Sequence, residues 1–231
     1  MTPSERLEKF AQSVYLTKNN RYFDDIGEDD GQVYIAQTVD WTNLLLDELE
    51  READWNCVRT YDQDLGEVLT AGQTFPLPAG VRKLVVDEDR PLVIMHDGAV
   101  VSHWDVVDAN QITRRNNSPT RDRVTVVKKT IIFSRPLKDY EIGGHVFADT
   151  IEPLPRISDT NVDLFDTFPN YQLIILGVAK NATLPDIVQG GLSPSYVQKY
   201  ADLLEKEVME NNASSTSDEV VRDDFGYIGG I

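Results

Sequence analysis

The sequence predicts an α+β fold, in which a bundle of about four helices carries an inserted antiparallel β module. Apolar residues recur at helical spacing near both ends of the 231-residue chain, whereas short β-branched runs separated by Gly, Pro and Asp-Gly turn signals occupy its middle. We therefore predict a discontinuous helix-bundle domain at residues 1–55 and 154–213, a β-rich insertion at 56–153, and a flexible C-terminal arm at 214–231.

The first helix has a clear start signal. Thr2 is placed to cap it, Pro3 occupies its first position, and Glu5 completes a capping box. The apolar residues that follow recur at the spacing of one helix face: Leu7, Phe10, Ala11, Val14 and Tyr15.

A second helix is predicted from about Val33 to Asp54, after a polar loop at residues 19–32. Trp41 and Trp55 bracket this helix and are expected to be core anchors. The single cysteine, Cys57, excludes an internal disulfide and is predicted to be a small core residue. The predicted apolar face of the helix comprises Ile35, Val39, Leu45, Leu46, Leu49 and Ala53.

Turn and strand signals then dominate the chain. Gly72 provides the freedom of a tight turn, while Pro76 and Pro78 favour strand ends or edges because they cannot donate to a ladder. Asp97 and Gly98 form a dipeptide typical of a two-residue hairpin.

Two longer strands are predicted from Val124 to Pro136 and from Glu141 to Ile151, joined by a turn. A short helical turn capped by Asp105 is predicted before them.

Helices return in the last third of the chain. An apolar helix is predicted at Thr167–Thr183, with Pro169 near its start, and a last helix has Ser193 as N-cap and Pro194 at its first position. The predicted apolar face of that last helix comprises Tyr196, Val197, Tyr200, Leu203, Leu204 and Val208.

The chain is strongly acidic. It has 22 Lys and Arg against 39 Asp and Glu, a net charge of −17, which disfavours ordinary sequence-specific DNA binding because the surface repels phosphates. The acidity either keeps the protein soluble or lines a surface past which DNA moves without adhering. No apolar run approaches the roughly 18 residues that cross a bilayer, and the polar N-terminus lacks a signal-peptide core, so we expect a cytosolic origin and no membrane partner.

No recognisable catalytic, cofactor or metal motif is present, so we predict no enzyme, cofactor or metal site. His103 with Asp105 or Asp108 is the candidate acid–base group. A calcium site in the predicted polar loop is an alternative, but no frame there has the ligand spacing of an EF-hand. The carboxylates of that loop are Asp24, Asp25, Glu28, Asp29 and Asp30.

Two segments are candidate contact surfaces. A basic loop gathers cations that favour an acidic partner surface or a phosphate: Arg114, Arg115, Arg121 and Arg123. The C-terminal arm ends in apolar residues on a Gly-rich string, which favours ordering against a neighbour by strand addition or in a groove. These residues are Phe225, Tyr227, Ile228 and Ile231.

The order of these segments resembles the head-to-tail adaptor, or connector, proteins of tailed bacteriophages, of the tail tubular protein A type. The resemblance covers residues 33–208. It rests on a helix ending near a Trp ("WTNLLLDELEREADWN"), a hairpin ("VLTAGQTFPLPAGVRKLVV"), a Pro-containing passage ("EPLPRISDTNVDLF") and a closing helix ("YVQKYADLLEKEV").

The resemblance implies a virion protein of the neck, assembled in the host bacterial cytoplasm. Copies, usually twelve, would form a ring beneath the portal protein and extend the DNA channel towards the next neck or tail protein. DNA would pass through without specific binding, and the C-terminal arm would contact the portal. The alternatives are a stopper or tail-terminator protein, for which a low helix content would argue, and a virion-associated cell-wall hydrolase, which would need a defined catalytic centre.

Overall fold

A computed structural model describes residues 1–20, 23, 27–85, 90–110, 112, 122–182 and 192–223, the last ten of these by their backbone. The chain divides into two compact units. One is formed by Met1–Cys57 together with the chain from Leu154 onward, and the other by Val58–Pro153. We call them the helical unit and the β unit. Together they confirm the predicted α+β class.

The helical unit contains five helices among its described residues, one of them a single turn. Its first two are α1 at Pro3–Asn19 and α2 at Glu28–Glu52. The other three follow the β unit in the chain: α3 at Leu164–Thr167, α4 at Tyr171–Asn181 and α5 at Pro194–Asp223. α4 is the central helix, since it packs against α1, α2 and α5.

The start of α1 confirms the predicted capping box. Thr2 Oγ1 accepts a hydrogen bond from the Glu5 backbone N–H at 3.3 Å, and Glu5 Oε2 accepts one from the Thr2 N–H at 2.7 Å. The predicted face is buried: Leu7, Phe10, Ala11, Val14 and Tyr15.

α2 begins at Glu28, five residues before the predicted start, and ends at Glu52. The predicted loop was wrong over residues 28–32, because acidic residues there favour the positive end of the helix dipole. The predicted face is also shifted. Tyr34 and Thr38 are buried whereas Ile35 and Val39 are half-buried, and the Thr38 hydroxyl is satisfied by donating to the Tyr34 carbonyl at 2.8 Å.

Both tryptophans are core anchors, as predicted. Trp41 is buried, and its ring centroid lies 5.3 Å from that of Tyr34. Trp55 is buried, and its indole N–H donates to the Leu49 carbonyl at 2.8 Å. Cys57, by contrast, is exposed, so its assignment to the core was wrong.

The last helix begins at Pro194, as predicted, but it continues to Asp223. Ten residues assigned to the flexible arm, 214–223, are therefore helical, because extending an existing helix avoids the cost of a new nucleus. The predicted apolar face is only partly buried: Tyr200 is buried, whereas Tyr196 and Val197 are exposed.

Among its described residues, the β unit forms one sheet of eight strands in the order β1-β8-β4-β5-β6-β7-β2, with β3 also pairing with β8. The strands are β1 Arg59–Glu67, β2 Thr74–Pro76, β3 Lys83–Leu84, β4 Leu92–His96, β5 Ala99–Val106, β6 Asp122–Val127, β7 Thr130–Phe133 and β8 His145–Ile151. The prediction of an antiparallel module is wrong for one pair of strands, because β5 and β6 run parallel. Pro76 lies in the terminal strand β2, as its missing N–H requires.

Two tight hairpins organise this sheet. β4 and β5 are joined by Asp97 and Gly98, which have φ angles of 51° and 78°, the predicted two-residue turn. The predicted strand at Val124–Pro136 is instead a second hairpin, β6 and β7, which turns at two lysines, residues 128 and 129. β7 pairs with β6 and β2, whereas β8 pairs with β1, β3 and β4.

The core of the β unit lies around Trp104 and Phe133, whose ring centroids are 4.7 Å apart. Asp105 lies inside β5, next to Trp104, and caps no helix. The parallel partner β6 keeps this segment extended, because Asp105 is in register with Arg123.

Candidate functional site

The candidate acid–base group is spread along and beyond β5. His103 and Asp105 are two residues apart in an extended strand and therefore share a face, while Asp108 follows the strand end. His103 is exposed and lies opposite Val93 of β4. Among the described residues, neither aspartate is hydrogen-bonded to the His103 ring. In the described geometry, therefore, neither aspartate orients the His103 ring.

A polar groove of about 380 Å³ passes beside His103. Its lining residues are Val101, Ser102, His103, Asp122, Arg135, Lys138 and Tyr140. Arg135 is its most constrained side chain. The guanidinium makes two hydrogen bonds to the Glu141 carboxylate, at 2.8 and 2.9 Å, and one to Asp122 at 2.6 Å.

Glu141 has no solvent exposure, so its charge depends on these contacts. Burial alone would raise the pKa of Glu141, but hydrogen bonds from Arg135, the Lys138 backbone N–H and Ser102 lower it below its ordinary value. The hydrogen bonds to Glu141 raise the pKa of Arg135, against the opposing effect of burial. The guanidinium also lies 4.4 Å from the Trp104 ring centroid. With its donors so engaged, Arg135 stabilises the wall of the groove instead of presenting a free charge to a ligand.

A second buried carboxylate, Asp149, is held by two arginines. Arg59 Nη2 and Arg90 Nε each lie 3.2 Å from Asp149 Oδ2. Both guanidinium groups also lie 4.7 Å from the ring centroid of Tyr61. This cluster fixes β1 against β8 and connects Arg90 to both strands. Sequence reasoning missed it, because its members are far apart in the chain.

The candidate calcium loop is not reproduced where the structure describes it. Glu28, Asp29 and Asp30 are consecutive in the first turn of α2, so their side chains diverge around the helix. Asp24 and Asp25 lie outside the described residues. Over the described part of the chain, no three His, Cys, Asp or Glu side chains form a group that could hold a metal ion.

Most of the predicted contact residues fall outside the described ranges. These are Arg114, Arg115 and Arg121 of the basic loop and Phe225, Tyr227, Ile228 and Ile231 of the arm. Arg123 is described and belongs to strand β6, where its N–H donates to Ser134 Oγ at 3.0 Å, so its assignment to the loop was wrong.

The structure adds a basic feature that sequence reasoning did not single out. Lys128 and Lys129 form the turn between β6 and β7, and both are exposed. We call this pair the lysine turn. Two adjacent lysines carry no turn signature in the sequence, since Asn-Gly is the usual signal.

Comparison with protein-family models finds no match, and comparison with curated proteins finds none. In the part of the chain that the structure describes, no helix has both the length and the apolar character needed to cross a bilayer.

Proposed function

We propose that this chain is a structural protein of a phage virion, a head-to-tail adaptor that forms a ring between the portal and the tail. The observation that carries the proposal is the insertion of the β unit, Val58–Pro153, between two parts of one helical unit. This is the arrangement implied by the resemblance, with helices from both ends of the chain around an inserted β module.

The packing of the helical unit supports a scaffold role. Its first and last parts are tied together by side chains, since Asn211 of α5 accepts from the Asn56 N–H at 2.7 Å and donates to the Asp54 carbonyl at 2.8 Å. Asn170, the N-cap of α4, donates to Glu207 of α5 at 2.7 Å. These contacts favour a rigid building block. The helix content also favours an adaptor, because a low helix content would argue for a stopper or tail-terminator protein.

The charge supports a channel-forming ring. Twelve copies at −17 would surround the channel with on the order of two hundred negative charges. Such a surface repels phosphates, so DNA would pass without adhering. A closed ring is built from heterologous contacts, which require two different patches on each subunit. In this proposal the helical unit builds the ring, and the β unit contacts neighbouring subunits or the next tail component.

Virions assembled without this chain test the proposal. We expect DNA-filled heads and free tails in electron micrographs, with infectious particles restored when the chain is supplied from a plasmid. A Lys206→Met variant, which alters one exposed side chain, serves as a control and should restore infectivity fully. Normally joined particles in the absence of the chain would overturn the proposal.

A further inference from the structure

The lysine turn has an unusual backbone for its residues. Val127 pairs with Thr130 across it, and Lys128 and Lys129 have φ angles of 49° and 63°. Two successive left-handed residues make a turn that strongly prefers Asn and Gly, because a side chain with a Cβ is disfavoured there. The chain thus keeps two long cationic side chains where backbone geometry favours neither of them.

The two ammonium groups have different surroundings. Lys129 Nζ donates to the carbonyl of Val81 at 2.7 Å and approaches that of Arg82 at 3.4 Å, which holds it close to the backbone of the residues preceding β3. Within the described parts of the chain, no carboxylate lies within ion-pair distance of Lys128 or Lys129. Val127, which precedes them in the chain, is 36% exposed. Lys128 is therefore the outward charge of this hairpin.

We propose that the lysine turn binds an acidic surface on a second copy of this chain. This inference rests on the proposed ring. Copies that each carry −17 repel one another, and they associate only where the contact is locally complementary, since charges beyond about 8 Å are largely screened at physiological salt. Lys128, which is exposed and has no carboxylate within ion-pair distance among the described residues, provides that complementarity, because the acidic chain offers many carboxylates on another copy.

Lysine side chains also bind the phosphates of nucleic acids. The net charge of −17 argues against it, because the rest of the surface repels phosphates. DNA binding by the lysine turn is therefore an outcome that the experiment must exclude.

Sedimentation velocity across a concentration series, at about 150 mM NaCl where charges beyond about 8 Å are largely screened, tests the inference. We expect the wild type to assemble at this salt concentration. Lys128→Glu should raise the concentration needed for assembly by about tenfold or more. Lys128→Asn should do so to a smaller extent. Asn tolerates this backbone conformation, so circular dichroism and thermal unfolding should show that the hairpin still folds.

Lys9→Glu is the matched control. Lys9 is exposed on α1, and its replacement changes the net charge by the same amount. If Lys128→Glu and Lys9→Glu raised the concentration needed for assembly equally, the inference would be overturned. Loss of binding to a short DNA duplex with unchanged self-association would also overturn it, in favour of phosphate binding. A wild type that stays monomeric at all concentrations but binds the portal would overturn it too, while leaving the proposed function standing.

Discussion

Gly177 of α4 faces Leu45 of α2 at a distance that leaves no room for a side chain. A Cβ atom placed on Gly177 would lie 2.6 Å from both methyl groups of Leu45 and 2.9 Å from Cε2 of Tyr200 in α5. Three helices therefore meet at one residue without a side chain. This contact explains why a glycine lies in the middle of a buried helix, where it is otherwise unfavourable.

Gly177→Ala should destabilise the helical unit. In an ordinary helix interior the same change stabilises by up to about 1 kcal/mol, but here overpacking should cost about 1–3 kcal/mol. Unfolding in urea, followed by far-ultraviolet circular dichroism, measures the change. Gly80→Ala is the control, because a Cβ there has no atom within 4 Å. A stabilised Gly177→Ala variant would contradict the close contact of the three helices.

Thr2→Ala should lower stability by about 1 kcal/mol through loss of the cap of α1. Thr2→Ser keeps the hydroxyl that accepts from the Glu5 N–H, so its unfolding midpoint should stay close to that of the wild type. If Ala and Ser behave alike in urea unfolding, the capping box does not stabilise the helix.

Arg135→Met should destabilise the β unit by about 3–5 kcal/mol, because it leaves the fully buried Glu141 without its charge partner. Lys206→Met is the contrasting variant. It removes an exposed pair with Glu210 and should change stability by less than about 1 kcal/mol. Tryptophan fluorescence during unfolding reports the loss, since the Arg135 guanidinium lies against Trp104. If Arg135→Met and Lys206→Met lowered the free energy of unfolding by similar amounts, burial would not strengthen the contact between Arg135 and Glu141.

The free energy of unfolding should depend on pH through the protonation of Glu141. Its pKa is lowered in the folded protein, so the unfolded chain binds more protons in acid. The contribution of the Glu141 carboxylate to the free energy of unfolding is therefore complete above its ordinary pKa of 4.5. It is lost as the pH falls through the lower pKa of the folded protein. The stability difference between the wild type and Glu141→Gln should shrink from pH 5 to pH 3, measured by urea unfolding at each pH. A constant difference would contradict a lowered pKa.

Local chemistry predicted several elements of this fold correctly. The starts of α1 and α5 were predicted because Thr2, Pro3 and Pro194 have side chains or rings suited to the first turn of a helix. The turn at Asp97 and Gly98 was predicted because Gly tolerates positive φ. In each case the signal and the structure lie within a few residues of each other.

Other features depend on partners that the local sequence does not reveal. The start of α2 was missed because Gly27, its N-cap, provides no side-chain signal. The lysine turn was missed because lysine has no preference for that backbone. The buried charges of Glu141 and Asp149 could not be distinguished from the many exposed carboxylates, since their burial depends on strands brought together by the sheet.

Native mass spectrometry of the chain mixed with the portal protein from the same genome tests the proposed adaptor function. We expect a complex with one copy of this chain for each portal subunit. If the C-terminal arm makes the contact, deletion of residues 224–231 should abolish that complex while leaving the far-ultraviolet circular dichroism spectrum of the isolated chain nearly unchanged. A chain that shows no association with the portal at any concentration would contradict the adaptor function.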